Sequence, residues 1–380
     1  NSLATFGLNA QWADFQRGTT GLTGLASAEG SRLHIEPSVR VGQHKSAGFW
    51  AAEAGYRYSQ YQLDYADPLF AESVADTDPS REVAYLSVDA GLFFDRQYNF
   101  AGLEGTQTLE PRIYYLRQGY EDQDTLPIFD STSIALDYAQ LFRSNRFVGL
   151  DRIGDADQIT LGVTSRFLSA ADGRELFSVS LGQIEQFSDP RVSLANNPLA
   201  NSLPESSALA GEISAHLSPH WQVIANEVWD YEQSQWQELG ATVRYRGDNK
   251  HLFNLGFRRR AQEDIEQAEL SFFWPLSHKL GVMARWHYDI GDDRTLEGFA
   301  GLEYDDCCLR VRLMLRQYLD NPAFAGQLQG NNQSPFLADD LLRKDRSVYL
   351  QVVFKGLAGF GNKIDRILER GVRGYRPVSQ

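Results

Sequence analysis

Cys307 and Cys308 stand side by side in Tyr304-Asp305-Asp306-Cys307-Cys308-Leu309 and are the only thiols among 380 residues. Adjacent Cα atoms lie about 3.8 Å apart across a trans peptide, closer than the roughly 4.4–6.8 Å of a relaxed disulfide. Each sulfur should therefore prefer a partner elsewhere, and this sequence offers none. Two readings follow: a pair of incidental free thiols, which is a hazard in an oxidising compartment, or a chain that is a piece of something larger. The other reactive side chains are quieter. The seven histidines, His34, His44, His216, His220, His251, His278 and His287, fall in no nucleophile, zinc or phosphate-loop motif. His216 and His220 flank one short turn, but a third ligand at sensible spacing is missing. Neither enzymatic chemistry nor a metal or other cofactor is expected.

The elements that carry these residues read as β structure. Short alternating segments separated by polar turns dominate, and helical periodicity is scarce before the C-terminal tail. An aromatic content of 12% and 32 glycines suit an all-β chain outside the cytoplasm. A mean hydropathy of -0.39 and the lack of any 18-residue apolar run exclude transmembrane helices. They leave open a membrane barrel, whose strands alternate lipid-facing and lumen-facing residues and so hide from hydropathy. The net charge of -14 argues against a nucleic-acid partner, which would need a basic footprint. No signal peptide is visible at Asn1, and the chain opens almost directly into Thr5–Trp12, so its start is expected to be processed or truncated.

The clearest strand is Leu309–Arg316. Leu309, Val311, Leu313 and Leu315 take one face; Arg310, Arg312, Met314 and Arg316 take the other. A charge at the bilayer midplane costs roughly 2–4 kcal/mol, so the arginine face is expected to look into a wet lumen. Leu280–Tyr288, Gln158–Phe167 and Ala208–Leu217 divide in the same way, while Trp12, Trp50, Trp221, Trp229, Trp274, Trp286 and Tyr288 fall near strand ends, where an interfacial girdle belongs. A soluble sandwich is the alternative, since its strands alternate too.

Counting such segments gives on the order of 16 strands of membrane-crossing length. Taking the Asp305-Asp306 turn as one side, its connections (275–279, 247–250, 218–220, 169–174) are short. Those opposite (118–157, 186–208, 62–82, 16–31, 318–346) are long. Short periplasmic turns and long outer loops mark a bacterial outer-membrane barrel, with both chain ends in the periplasm; the connection 95–106 is one long exception.

The runs Arg32-Leu33-His34-Ile35-Glu36-Pro37, Thr108-Leu109-Glu110-Pro111-Arg112, Leu141–Phe147 followed by Gly149–Gln158, Gly162–Arg166 and Cys307-Cys308 together resemble the LPS-assembly outer-membrane protein family, LptD. The resemblance implies an antiparallel transmembrane outer-membrane β-barrel, here an incomplete segment of a very large one. Residues 1–356 would supply strands of the C-terminal part of the barrel domain, and 357–380 a periplasmic tail. It implies integral placement in the outer membrane of a Gram-negative bacterium. It implies lipopolysaccharide as the transported substrate, inserted into the outer leaflet through a lateral opening, with an LptE-type plug lipoprotein in the lumen. It also implies a periplasmic transport bridge reached through a jelly-roll domain upstream of this sequence. Cys307 and Cys308 would then bond to upstream cysteines, and the last strand, with Val348, Leu350, Val352 and Phe354, would lie at the lateral seam. A general diffusion porin of about sixteen strands is the alternative that the strand count supports, although a self-contained porin has no use for two unpaired thiols.

Arg310, Arg312 and Arg316 could guide lipopolysaccharide phosphates or the plug; a lumen ladder paired with Glu297 and Glu303 is the structural alternative. Arg143, Arg146, Asp151 and Arg152 in the longest loop could contact plug or substrate, or could form a salt-bridge network that folds the loop inward. That loop, 118–157, mixes Leu126, Phe129, Leu141, Phe142 and Phe147 with these charges and is expected to fold over or into the lumen. Pro37 and Pro111 lack a backbone donor and should weaken a ladder locally.

Overall fold

A computed structural model describes residues 3–16, 22–73, 76–100, 102–134, 136–194, 208–231, 234–261, 264–320, 343–355, 358–360 and 363–376. The described chain divides into two compact units. One comprises residues up to Arg166 with Ser180–Gly211; the other comprises Phe167–Val179, Glu212–Asp320 and the residues from 342 onward.

The first unit holds β1 (Leu3–Phe15), β2 (Ala28–Lys45), β3 (Gly48–Tyr65), α1 (Pro68–Ser73), β4 (Ser80–Leu92), β5 (Phe94–Phe100), β6 (Leu103–Gln118) and the two-residue strands β7 (Thr132–Ser133) and β8 (Phe147–Val148). β1 pairs with β2, β2 with β3, β3 with β4, and both β4 and β5 with β6, all antiparallel. The segment 95–106, expected as a long connection, is instead a hairpin of β5 and β6: Phe94 pairs with Leu109 and Phe100 with Leu103. Its alternating sequence continues the ladder past a bend at Phe93, whose N–H bonds to Ala47 O at 2.9 Å. Both prolines sit at ladder breaks. The β2–β3 register skips from Ile35↔Tyr58 to Ser38↔Gly55 around Pro37. Pro111 lies between Leu109, paired with β5, and Arg112, paired with β4.

β9 (Ala156–Ser169) pairs with β10 (Glu175–Gln186), and β11 (Leu209–His216) follows. The second unit continues through β12 (Trp221–Asp230), β13 (Gln235–Arg246), β14 (Leu252–Arg260), β15 (Ile265–Pro275), β16 (Leu280–Asp289), β17 (Arg294–Asp305), β18 (Leu309–Asp320), β19 (Arg343–Phe354), β20 (Ala358–Phe360) and helix α2 (Lys363–Gly371). From β12 to β20 each strand pairs antiparallel with the next. The long loops expected between β10 and β11 and between β18 and β19 lie largely outside the described residues.

Polarity is inverted in both units. Leu86, Val88, Leu161, Leu255, Leu302, Leu313, Leu315, Val348 and Leu350 are exposed, whereas Arg32, Arg81, Gln118, Asn254, Ser271, Arg312 and Gln351 are buried. A water-soluble sheet buries its apolar row; a membrane strand turns that row to lipid. Leu313 and Leu315 are exposed while Arg310, Arg312 and Met314 are buried, so β18 is faced as its alternation requires. Aromatic contacts cluster near the strand ends of the second unit. Trp221 meets Tyr245 (4.8 Å) and Tyr245 meets Trp274 (5.9 Å) beside the short turns, and Trp229 meets Trp236 (4.8 Å) at the opposite end. Trp221 and Trp229 are eight residues apart on β12, about 26 Å of strand, which spans the apolar band of an outer-membrane wall.

Candidate functional site: a polar inner face and its two covers

In the first unit, the buried face of β2, β3 and β4 is charged, and the segment after Gln118 folds onto it. Arg32, wholly buried, donates to both carboxylate oxygens of Asp130 (3.0 and 2.7 Å) and to Asp151. Asp151 also accepts from Phe129 N and Asp130 N, each at 2.7 Å, and from the Tyr61 hydroxyl at 3.2 Å. Arg81 reaches the carbonyls of Leu150 (2.7 Å) and Asp151 (2.8 Å) and the Gln123 side chain (3.1 Å). Burial pushes the Asp130 carboxyl up, but the Arg32 guanidinium and the Leu150 amide outweigh it and hold Asp130 well below the usual carboxylate range. Apolar contacts add to this polar hold: Leu126 packs with Tyr61 and Leu63, Phe129 stacks on Phe15 at 4.3 Å, and Leu141 is fully buried.

The four loop residues singled out from sequence separate into two roles. Asp151 ties the loop to Arg32 and Tyr61 on the strands, and Arg152 donates to Leu126 O at 2.9 Å and Ser193 O at 3.2 Å. Arg146 binds Asp155 O (2.6 Å), the Asp155 carboxylate (3.1 Å) and Val192 O. Arg143 alone among them keeps its guanidinium exposed, bonded among the described residues to Gln140 at 3.0 Å. It lines an open cavity of about 600 Å³ together with Gln11, Glu36, Arg57, Ser144 and Asn145. Sequence reasoning missed Arg32, Arg57 and Arg81, the strand residues that receive the loop. Their signal was positional, since each is a basic residue on the row opposite an apolar outer row.

In the second unit, α2 covers the inner face around Arg312, and the arginines pair with Glu303 and Glu297 of the neighbouring strand, as the ladder alternative had it. Arg312 is 2% exposed. Its guanidinium binds Glu303 (2.5 Å), Gln351 (2.9 Å), Asp365 of α2 (2.6 Å) and the Tyr375 hydroxyl (2.5 Å). Arg316 pairs with Glu297 at 2.6 Å and Arg310 with Asp305 at 3.2 Å. Beside these pairs, Ile364, Ile367, Leu368 and Val372 pack on Leu252, Phe273, Met283, Phe299 and Met314, which come from five successive strands. Gly371 is required there, because a Cβ would lie 2.7 Å from the Phe299 ring. The helix forms where the sequence switches from period 2 to Ile364, Ile367, Leu368, Gly371, a one-sided stripe.

The strand expected at the seam, β19, turns Val348, Leu350 and Phe354 outward and Gln351 and Val353 inward. It is not the last strand: β20 pairs with its end, Val352 with Phe360 and Phe354 with Ala358. Cys307 and Cys308 are free and exposed in the turn between β17 and β18, with sulfurs 2.7 Å apart. Lys279 bonds Asp306 at 3.0 Å beside them and holds that carboxyl below the usual range. Among the described residues no group of three or more His, Cys, Asp or Glu is placed to hold a metal.

The LptD family, LPS transport system D, matches residues 2–286. The LPS-assembly protein LptD of Pseudomonas aeruginosa strain UCBPP-PA14 is 36% identical over 400 residues, covering 95% of this chain and 42% of that protein. The LPS-assembly protein LptD of Xanthomonas oryzae pv. oryzae strain MAFF 311018 is 36% identical over 357 residues, covering 91% and 42%. The chain thus spans less than half the length of these curated relatives. Among solved structures, the ferric-catecholate import receptor Fiu of E. coli K12 aligns with a TM-score of 0.40 at 9% identity, over 88% of this chain and 57% of that one.

Proposed function

The chain belongs to the LptD family, and from that premise we propose that it forms part of the wall of an outer-membrane barrel that carries lipopolysaccharide into the outer leaflet. The family match carries the reading; the inverted polarity of both units supports it. A row of leucines and valines faces hydrocarbon while the opposite face offers arginines, carboxylates and amides to sugars and phosphates. The mechanism is solvation without chemistry. Polar parts of the glycolipid exchange hydration for a protein surface, and its acyl chains leave through a seam at the β19 end, where Val348, Leu350, Val352 and Phe354 form the outward row. The family assignment favours this over the diffusion porin that strand counting alone allowed.

Three partner assignments belong to the same proposal. Cys307 and Cys308, exposed at a short turn, bond to cysteines upstream of this sequence. The upstream region is the jelly-roll domain that receives substrate from the periplasmic bridge. The plug lipoprotein meets the loop side of the first unit through Arg143, the one loop arginine left open. The test is a photo-crosslinking residue at position 143 of the full-length protein in cells. Adducts with lipopolysaccharide or with a lipoprotein support the reading. Depletion of the protein that leaves surface lipopolysaccharide unchanged would overturn it.

A further inference from the structure

In a chain of net charge -14, the C-terminal segment stands out by carrying five basic residues, Lys363, Arg366, Arg370, Arg373 and Arg376, against only Asp365 and Glu369. Asp365 is already spent on Arg312 and Gln351. Lys363, Arg366 and Arg370 are exposed at three- and four-residue spacing, so they form one stripe on the side of α2 away from its packed face. The stripe leads to a cluster on the sheet itself. Arg244 and Arg246, two residues apart on β13, share the inner face; their cross-strand partners are Asn254 and Leu252, both buried. Asn254 donates to Arg373 O at 3.2 Å and fixes that residue over the strand. Gly374 follows at φ +88, and a Cβ there would meet Arg246 Nη2 at 2.8 Å.

Three guanidiniums are thereby brought together. Arg373 and Arg246 both repel the charge of Arg244. Arg244 Nε is shielded from solvent with no acceptor, and among the described residues none of the three is in an ion pair. With Arg246 and Arg373 exposed and Arg244 half-buried, the cluster can be reached from solvent and keeps its guanidinium donors open to an anionic ligand. We propose that Arg244, Arg246 and Arg373 form a phosphate-binding site on the inner face of the second unit. It takes the phosphate esters of a glycolipid or free phosphate, guided in along the basic stripe of α2. A phosphate's three oxygens match forked guanidinium donors. Only the glycolipid as source rests on the function proposed above.

The experiment uses the full-length protein in detergent. Its arginines are labelled with phenylglyoxal and read by peptide mass spectrometry, in the presence of inorganic phosphate, lipopolysaccharide, or lipopolysaccharide after enzymatic dephosphorylation. Protection of Arg244, Arg246 and Arg373 by phosphate and by intact but not dephosphorylated lipopolysaccharide is expected. In Arg373→Gln, an exposed position outside the helix, half-protection of Arg244 should need about tenfold more ligand, with heat-modifiable gel mobility unchanged. Protection by inorganic phosphate alone supports the site with free phosphate as its ligand and counts against the glycolipid reading. Equal protection by dephosphorylated lipopolysaccharide, or none by any ligand, overturns the proposal.

Discussion

Arg32 shows how much one side chain can hold. It sits wholly buried on β2 yet binds two carboxylates of a segment about a hundred residues later. Arg32→Met would strand Asp151 in a dry site, and breaking a buried pair from one side costs about 3–5 kcal/mol. Because the penalty falls on loop docking, trypsin should cut the variant faster after Arg143 and Arg146 while the strands stay protected. Cleavage equal to that of the native chain would move the anchor elsewhere. Acid offers a second handle. The folded pKa of Asp130 is depressed, so its stabilisation is complete above the unfolded carboxylate value of about 3.9 and is lost as pH falls below it toward the folded value. Hydrogen exchange at Phe129 and Leu150 should be insensitive to folding-linked change between about pH 8 and 5 and rise below about pH 4. A rise that begins near neutrality would show that Asp130 is not the group responsible.

The strand rows and the helix make separable predictions. Leu313, exposed on β18, and Arg312, buried beside it, are adjacent in sequence and opposite in role. Leu313→Arg should cost roughly 2–4 kcal/mol in a bilayer and slow folding into lipid vesicles, as read by heat-modifiable mobility. An unaffected yield would mean that this row does not face lipid. For α2, Leu368→Ala removes a fully buried side chain and should cost about 2–5 kcal/mol, seen as accelerated exchange confined to 363–376. The strand pattern was legible in sequence because a two-residue period with charges on one row has few interpretations. The bend at Phe93 was not, since β5 alternates as a strand but follows β4 with a single residue between, and a bend of that kind depends on what β6 offers opposite. The docking of α2 was not legible either. Its apolar stripe announces that the helix must pack, but the partners, Leu252, Phe273, Met283, Phe299 and Met314, come from five strands whose register had to be known first. The loop pairs were half legible: Asp151 and Arg152 were picked out, whereas Arg32 and Arg81 looked like any lumen-facing base.

For the whole chain, the bonds proposed for Cys307 and Cys308 would tie this exposed turn to the rest of the longer protein its relatives represent. Non-reducing mass spectrometry of that full-length protein should find each sulfur joined to a cysteine upstream of Asn1; a main species with the two joined to each other would remove the argument. The placement of α2 has a further consequence, for the order in which the protein can mature. The inner surface of β14 to β18 is finished only when the last residues of the described chain arrive, because Ile364, Ile367, Leu368 and Val372 supply its lid and Asp365 answers Arg312. A nascent or truncated chain ending at Phe354 would display Met283, Met314 and an uncompensated guanidinium, a surface that quality-control proteases and chaperones can distinguish from a finished one. The arrival of α2 is thus registered by the fold itself, in whether the face beneath it is covered.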